Sequence, residues 1–163
     1  MRLILERISD LAIKLDEIEL DSTQKDTFWI GNDGSSKKSI MEAETRLGVK
    51  LPADYLQFLI VTNGFQAPID IEPTFHPVEE IRSLRDVDPF TIEAYQMPEL
   101  ENSIVVGGIN DEQFFLLIPP SNGLDHWRYW KFANWIPGEH EFASLEHYFD
   151  SVLIFLERLI EER

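Results

Sequence analysis

The chain has 163 residues, of which 44% are hydrophobic and 12% aromatic, enough apolar surface for one packed domain and too much for a disordered segment. It contains no cysteine, which excludes disulfides, thiolate metal sites and cysteine nucleophiles. Its formal charge of −16 repels phosphate backbones and anionic lipid heads, so neither nucleic acid nor a membrane surface is an expected partner.

The charge is uneven. Residues 1–50 hold ten acidic and eight basic side chains, and residues 51–163 hold twenty and six. Such a field attracts basic partners, although acidity also serves simply to keep a protein in solution. At the N-terminus, Met1-Arg2-Leu3-Ile4-Leu5-Glu6-Arg7 breaks its apolar residues with charges, unlike a signal peptide. No apolar run approaches the ~20 residues of a membrane span, and the expected location is the cytoplasm.

The first predicted element is an amphipathic helix over 3–20, because Ile4, Ile8, Leu11, Leu15 and Ile18 recur at alternating steps of four and three. Residues 21–38, rich in Ser, Thr, Asp, Asn and Gly, read as a loop. A second helix is predicted from Ser39, where Ser39-Ile40-Met41-Glu42 has capping-box spacing, to Gly48 as its left-handed stop. Leu51-Pro52 opens a third over 53–62, with proline in the first turn, and Asn63-Gly64 ends it. Five prolines break up 65–100, where the pattern suggests a strand at Ile69–Phe75 and a short helix starting at Pro77-Val78-Glu79-Glu80-Ile81. From 103 the period becomes two. Ser103–Val106, Glu112–Ile118 and His126–Phe132 are predicted strands, with turns at Gly107–Asp111 and Pro119–Asp125. A last helix runs from Ser144 as N-cap to Ile160. Helices first, a meander next and a helix last give an α+β fold, a single domain with a mainly antiparallel sheet flanked by N-terminal and C-terminal helices. Tyr55, Phe58, Leu59, Leu116, Val152 and Leu156 are its expected core.

Catalytic patterns are missing from the sequence. His76, His126, His140 and His147 include no pair at the H-x-x-x-H spacing of a helical zinc site, and no phosphate-binding P-loop, G-x-G-x-x-G or G-x-S-x-G is present. Asp111-Glu112 beside a glycine turn reads as a polar hairpin tip sooner than as a cation site. A triad assembled from distant residues is recognised by geometry and stays open. Trp127, Tyr129, Trp130, Phe132 and Trp135 cluster within nine positions. Strand alternation puts Trp127, Tyr129 and Lys131 on one face and Arg128, Trp130 and Phe132 on the other. Either both faces are covered or one is partly open, and Trp and Tyr are common interface anchors.

Residues Ile40–Leu59, continuing to Asn63-Gly64, carry a glutamate-bearing helix, then Leu47-Gly48, Leu51-Pro52-Ala53-Asp54-Tyr55, Phe58-Leu59 and Asn-Gly. This resembles the N-terminal signature of the SUKH superfamily, the SMI/KNR type. Phe75–Ile81, Gly107-Gly108 with Phe114–Leu117, Trp130–Glu139 and Phe142–Leu145 are similar to later segments of the family. The resemblance covers about residues 38–160 of a single domain spanning 1–163, with helix 3–20 as an addition. It implies an α+β domain without catalytic residues or cofactor. Many bacterial members are immunity proteins that bind and neutralise a cognate polymorphic toxin, often a nuclease, and fungal relatives are regulatory interaction proteins. The signature residues look structural and do not mark a binding surface.

The expected function is therefore a non-catalytic protein-binding domain, an immunity protein against a toxin with a basic face. The alternative is a regulatory or scaffolding module of the same fold. An undetected enzyme would need a deep polar pocket with converging titratable groups. The acidic segment holding Asp70, Glu72, Glu79, Glu80, Asp86, Asp88 and Glu93, with Glu139 and Glu141, is expected to steer the partner. Trp135 has two readings: an interface anchor on a loop over Asn134–Glu141, or a cap folded onto the core beneath the last helix.

Overall fold

The computed structural model describes residues 1–110, 113–121, 123–133 and 140–163. Trp135 and Glu139, and the Asp111-Glu112 pair, lie outside the described residues.

Helix α1 (Arg2–Leu15) buries Leu5, Ile8, Leu11, Ala12 and Leu15. It stops short of the predicted residue 20 because Asp16 takes a left-handed conformation, φ 52°, which Asp tolerates better than most residues. The segment expected to be loop contains a helical turn and a half, α2 (Ser22–Thr27), held by a capping box in which Asp21 and Gln24 satisfy each other's backbone donors. Helix α3 (Lys37–Leu47) starts before Ser39. Ser36 is the N-cap, and its hydroxyl accepts from the Ser39 backbone N–H at 3.0 Å. The expected Ser39–Glu42 box does not form, since Ser39 already lies in the first turn. Gly48 closes α3 at φ 69°, a conformation in which a side chain would be strained. Helix α4 (Ala53–Val61) follows, with Pro52 as its extended N-cap.

The middle of the chain departs most from the reading of its sequence. Of Ile69–Phe75 only Thr74–Phe75 is strand, β1, and Pro77–Ile81 is a turn leading to β2 (Arg82–Ser83). Three short helices follow: α5 (Leu84–Val87), α6 (Pro89–Tyr95) and α7 (Pro98–Glu101). The prolines that seemed to forbid helix instead begin two of them, where a missing N–H costs nothing.

The remaining strands are β3 (Ile104–Asn110), β4 (Gln113–Ile118), β5 (Arg128–Ala133) and β6 (His140–Phe142), and α8 (Leu145–Glu161) ends the fold. All pairings are antiparallel, in the order β1-β3-β4-β5-β6, with β2 also on β3. The sheet thus extends beyond 103–132, and His140 and Glu141, expected in the loop over Asn134–Glu141, belong to strand β6. Gly107-Gly108 is not a turn. Both lie in β3, opposite Phe75 and Thr74, and a Cβ on Gly107 would come within 2.7 Å of the Thr74 carbonyl oxygen. Glycine is needed there for close approach of two strands.

Alternation along the strands separates two apolar layers. Ile104, Val106, Phe115, Leu117 and Tyr129 face α1, α3, α4 and α8, whereas Val105, Phe114, Leu116, Ile118, Trp130 and Phe132 face Leu84, Ile92 and Leu100 of the short helices. Both faces of the aromatic strand β5 are therefore covered. Tyr55, Phe58, Leu59, Leu116, Val152 and Leu156 are all buried.

Four polar residues of the stretch 40–64 spend their hydrogen bonds inward. Glu44 accepts from the Leu51 N–H at 3.0 Å and from Lys50 Nζ at 2.6 Å, tying α3 to the start of α4. Arg46 donates to the carbonyls of Val78 and Ile81. Asp54 accepts from the Tyr129 hydroxyl at 2.9 Å and the Leu145 N–H at 3.0 Å, so it joins α4, β5 and the first turn of α8. Asn63 accepts from the Val78 N–H and donates to Glu79. Lys50 holds the Glu44 carboxyl below its ordinary 4.5, against the opposing effect of desolvation. A carboxyl lowered in the folded state stabilises above its unfolded value, and the gain is lost as pH falls through the lowered folded value. Glu44→Gln should therefore flatten the acid limb of the stability profile below about pH 5. Denaturant midpoints measured across that range test this, and identical slopes for the two proteins would show that Glu44 titrates as in the unfolded chain.

Candidate partner-binding surface

The acidic residues divide by what their carboxylates meet. Glu72 does not belong to a surface. It is 8% exposed, accepts from the Tyr148 hydroxyl at 2.7 Å and pairs with Lys131 at 3.1 Å. Burial, and after it the Glu72 carboxylate, push the Tyr148 hydroxyl well above its ordinary pKa, so it stays protonated as a donor. Glu72 was expected among the steering carboxylates, and its side chain turns into the interior instead of standing on the surface with them.

Glu141 on β6 is outwardly placed yet engaged. It accepts from Arg128 at 3.0 Å and from the Trp130 indole N–H at 2.7 Å. The Arg128 guanidinium, only 6% exposed, sits over the Trp130 ring and also approaches Glu99 at 3.7 Å. Glu141 thus neutralises a buried cation, a structural task that limits what it can offer a partner.

The rest stay near the surface. Asp70, Glu79, Glu80, Asp86 and Glu93 are exposed and Asp88 is half-buried. Asp86 and Asp88 accept from neutral donors at the starts of α5 and α6: the Ser83 hydroxyl for Asp86, and the Thr91 N–H and hydroxyl for Asp88. Glu79 accepts from Asn63, which holds its carboxyl below the usual value. None of these six lies within ion-pair distance of a basic group among the described residues. Asp70, Glu80 and Glu93 are thus left exposed to solvent, while Glu79, also under the influence of Arg46, and Asp86 and Asp88 are partly engaged within the chain.

Two residues that the sequence reading missed stand among them. Phe90 is 75% exposed and Val87 43%. The signal was present only as two apolar residues inside an acidic run, and nothing in a proline-broken segment tells which face they take. Beside Val87 a groove of about 690 Å³ opens over β3. Val105, Gly107 and Ile109 with Phe114 of β4 line it, together with His76, Glu80 and Arg82. Burial lowers the His76 pKa, leaving the ring neutral near pH 7. Among the described residues no group of three or more His, Asp or Glu could hold a metal ion, and no helix is long and apolar enough to cross a membrane.

An antiparallel sheet between a helical layer and three short helices, with the polar side chains of the stretch 40–64 bound into its frame, defines an α+β domain. The sequence profile of the SMI1 / KNR4 family (SUKH-1) matches residues 34–158, and the chain belongs to that family. No curated protein matches the chain.

Proposed function

We propose that this chain is a non-catalytic protein-binding domain, an immunity protein that binds a cognate toxin and neutralises it. The match over residues 34–158 carries this reading, because many bacterial members of the family act in that way. The net charge of −16 supports it. A toxin that acts on nucleic acid presents a basic cleft, and an acidic plug gains both steering and complementarity towards one. The polar residues of the stretch 40–64 bind their own chain, leaving recognition to side chains outside it.

The test is rescue of growth. Expression of the toxin domain encoded beside this gene should arrest a host cell, and co-expression of this chain should relieve the arrest through a complex stable to gel filtration. Arrest that persists despite a folded chain, or a neighbourhood without any toxin gene, would favour the regulatory or scaffolding module instead.

A further inference from the structure

We propose that Val87, Phe90 and the groove over β3 form the docking surface, and that its occupant is a basic protein segment presenting an apolar side chain. This deepens the protein-binding reading and rests on it. The groove has a mixed lining: Val105, Ile109 and Phe114, with the bare backbone of Gly107 between them, supply its apolar part, and His76, Glu80 and Arg82 its polar part. Val105 and Phe114 are nearly buried under α5–α7, and Ile109, half-buried, is the floor side chain that stays partly open to solvent. Val87 forms one wall and is itself 43% exposed. Phe90 follows in the first turn of α6, 75% exposed, with Glu93 one turn further on the same helical face. A phenylalanine left so open loses the transfer free energy that burial would return, so a partner that covers it gains that contribution.

Charge selects the occupant. Glu79, Glu80, Asp86, Asp88 and Glu93 belong to the segments that carry the groove and Phe90; none makes an ion pair within 4.0 Å among the described residues, although Arg46 acts on Glu79 from further away. Against these five, Arg82 and Arg85 are the basic residues of the same stretch. An acidic partner or a nucleic acid would be repelled. A segment with Lys or Arg around an apolar side chain would meet complementary charge at the rim and apolar contact in the centre, the usual anatomy of a specific interface.

Site-specific photocrosslinking tests the assignment. p-Benzoylphenylalanine is placed at position 87 or 90, and, as controls on other exposed apolar sites, at 3, 41, 60 or 154, in the cells from which the gene comes. Crosslinks from 87 and 90 but not from the controls, landing on a Lys/Arg-rich segment of a second protein, are expected. Phe90→Ala should then weaken binding of that purified protein roughly thirtyfold or more with the melting temperature unchanged. Crosslinks from a control position alone would overturn this surface while leaving the protein-binding reading intact. Crosslinks joining two copies of this chain would make the face a self-association surface and overturn the basic partner. Crosslinks from none of the six positions would count against the protein-binding reading itself.

Discussion

Phe58→Ala is expected to cost about 3–5 kcal/mol of stability, read as a lowered denaturant midpoint with an unchanged slope. Phe58 is fully buried, and its ring centroid lies 5.9 Å from Tyr55, 5.1 Å from Phe75 and 5.7 Å from Phe149. It therefore fills the junction of α4, β1 and α8. Truncation removes the apolar transfer contribution and opens a cavity among rings that are themselves held: Phe75 also contacts Phe115, Tyr148 and Phe149. Neighbours so constrained collapse little, which places the cost in the upper part of the range for large-to-small changes. Phe58→Leu keeps most of the volume and should lose much less. A midpoint unmoved by alanine would mean that the ring does not occupy this junction.

Glu72→Ala should be comparably damaging, about 3–5 kcal/mol, although the residue sits in a stretch that looks like acidic surface. Removal strands the Tyr148 hydroxyl, whose residue is 1% exposed, and leaves the Lys131 ammonium without its carboxylate. Water reaches Lys131, whose side chain is 26% exposed, so the cost should lie near the lower end. Glu72→Gln retains an acceptor for Tyr148 and should lose less than alanine does. Thermal melting of the two variants decides the matter. If both melt like the parent protein, the pair is dispensable and Glu72 is free to act at the surface after all.

The sequence was most informative where periodicity and end signals agreed. Ile8, Leu11 and Leu15, the Leu-Pro start before α4, Gly48 and the Ser144 cap placed their helices because each is a local interaction that operates before tertiary structure forms. Ser36 and Ser39 show the limit of that logic: both are good caps, and only the structure decides which one the chain uses. Between Ile69 and Leu100, elements of two to seven residues carry too few positions to display a period. Pro89 and Pro98 looked like interruptions although they begin helices. Gly107-Gly108 resembled a turn because the close approach of Thr74 that demands glycine is a contact across more than thirty residues. The candidate surface was legible as charge but not as geometry. Glu72 and Glu80 are both acidic residues next to apolar ones, yet one is buried against Tyr148 and the other is exposed. Phe90 passed unnoticed since exposure of an aromatic residue depends on which face its neighbours have already occupied.

The placement of α8 has a kinetic consequence. Leu145, Tyr148, Phe149, Val152 and Leu156 close the larger apolar layer, and the Asp54 contact that fixes the start of the helix spans ninety-one residues. Before this helix docks, Phe75 has Phe58 and Phe115 beside it but lacks Tyr148 and Phe149, and Phe115 lacks Tyr148. Closure of this layer is therefore expected to be slow, because a long loop must form before its contacts are rewarded, and the helix is the element whose docking completes the cooperative unit.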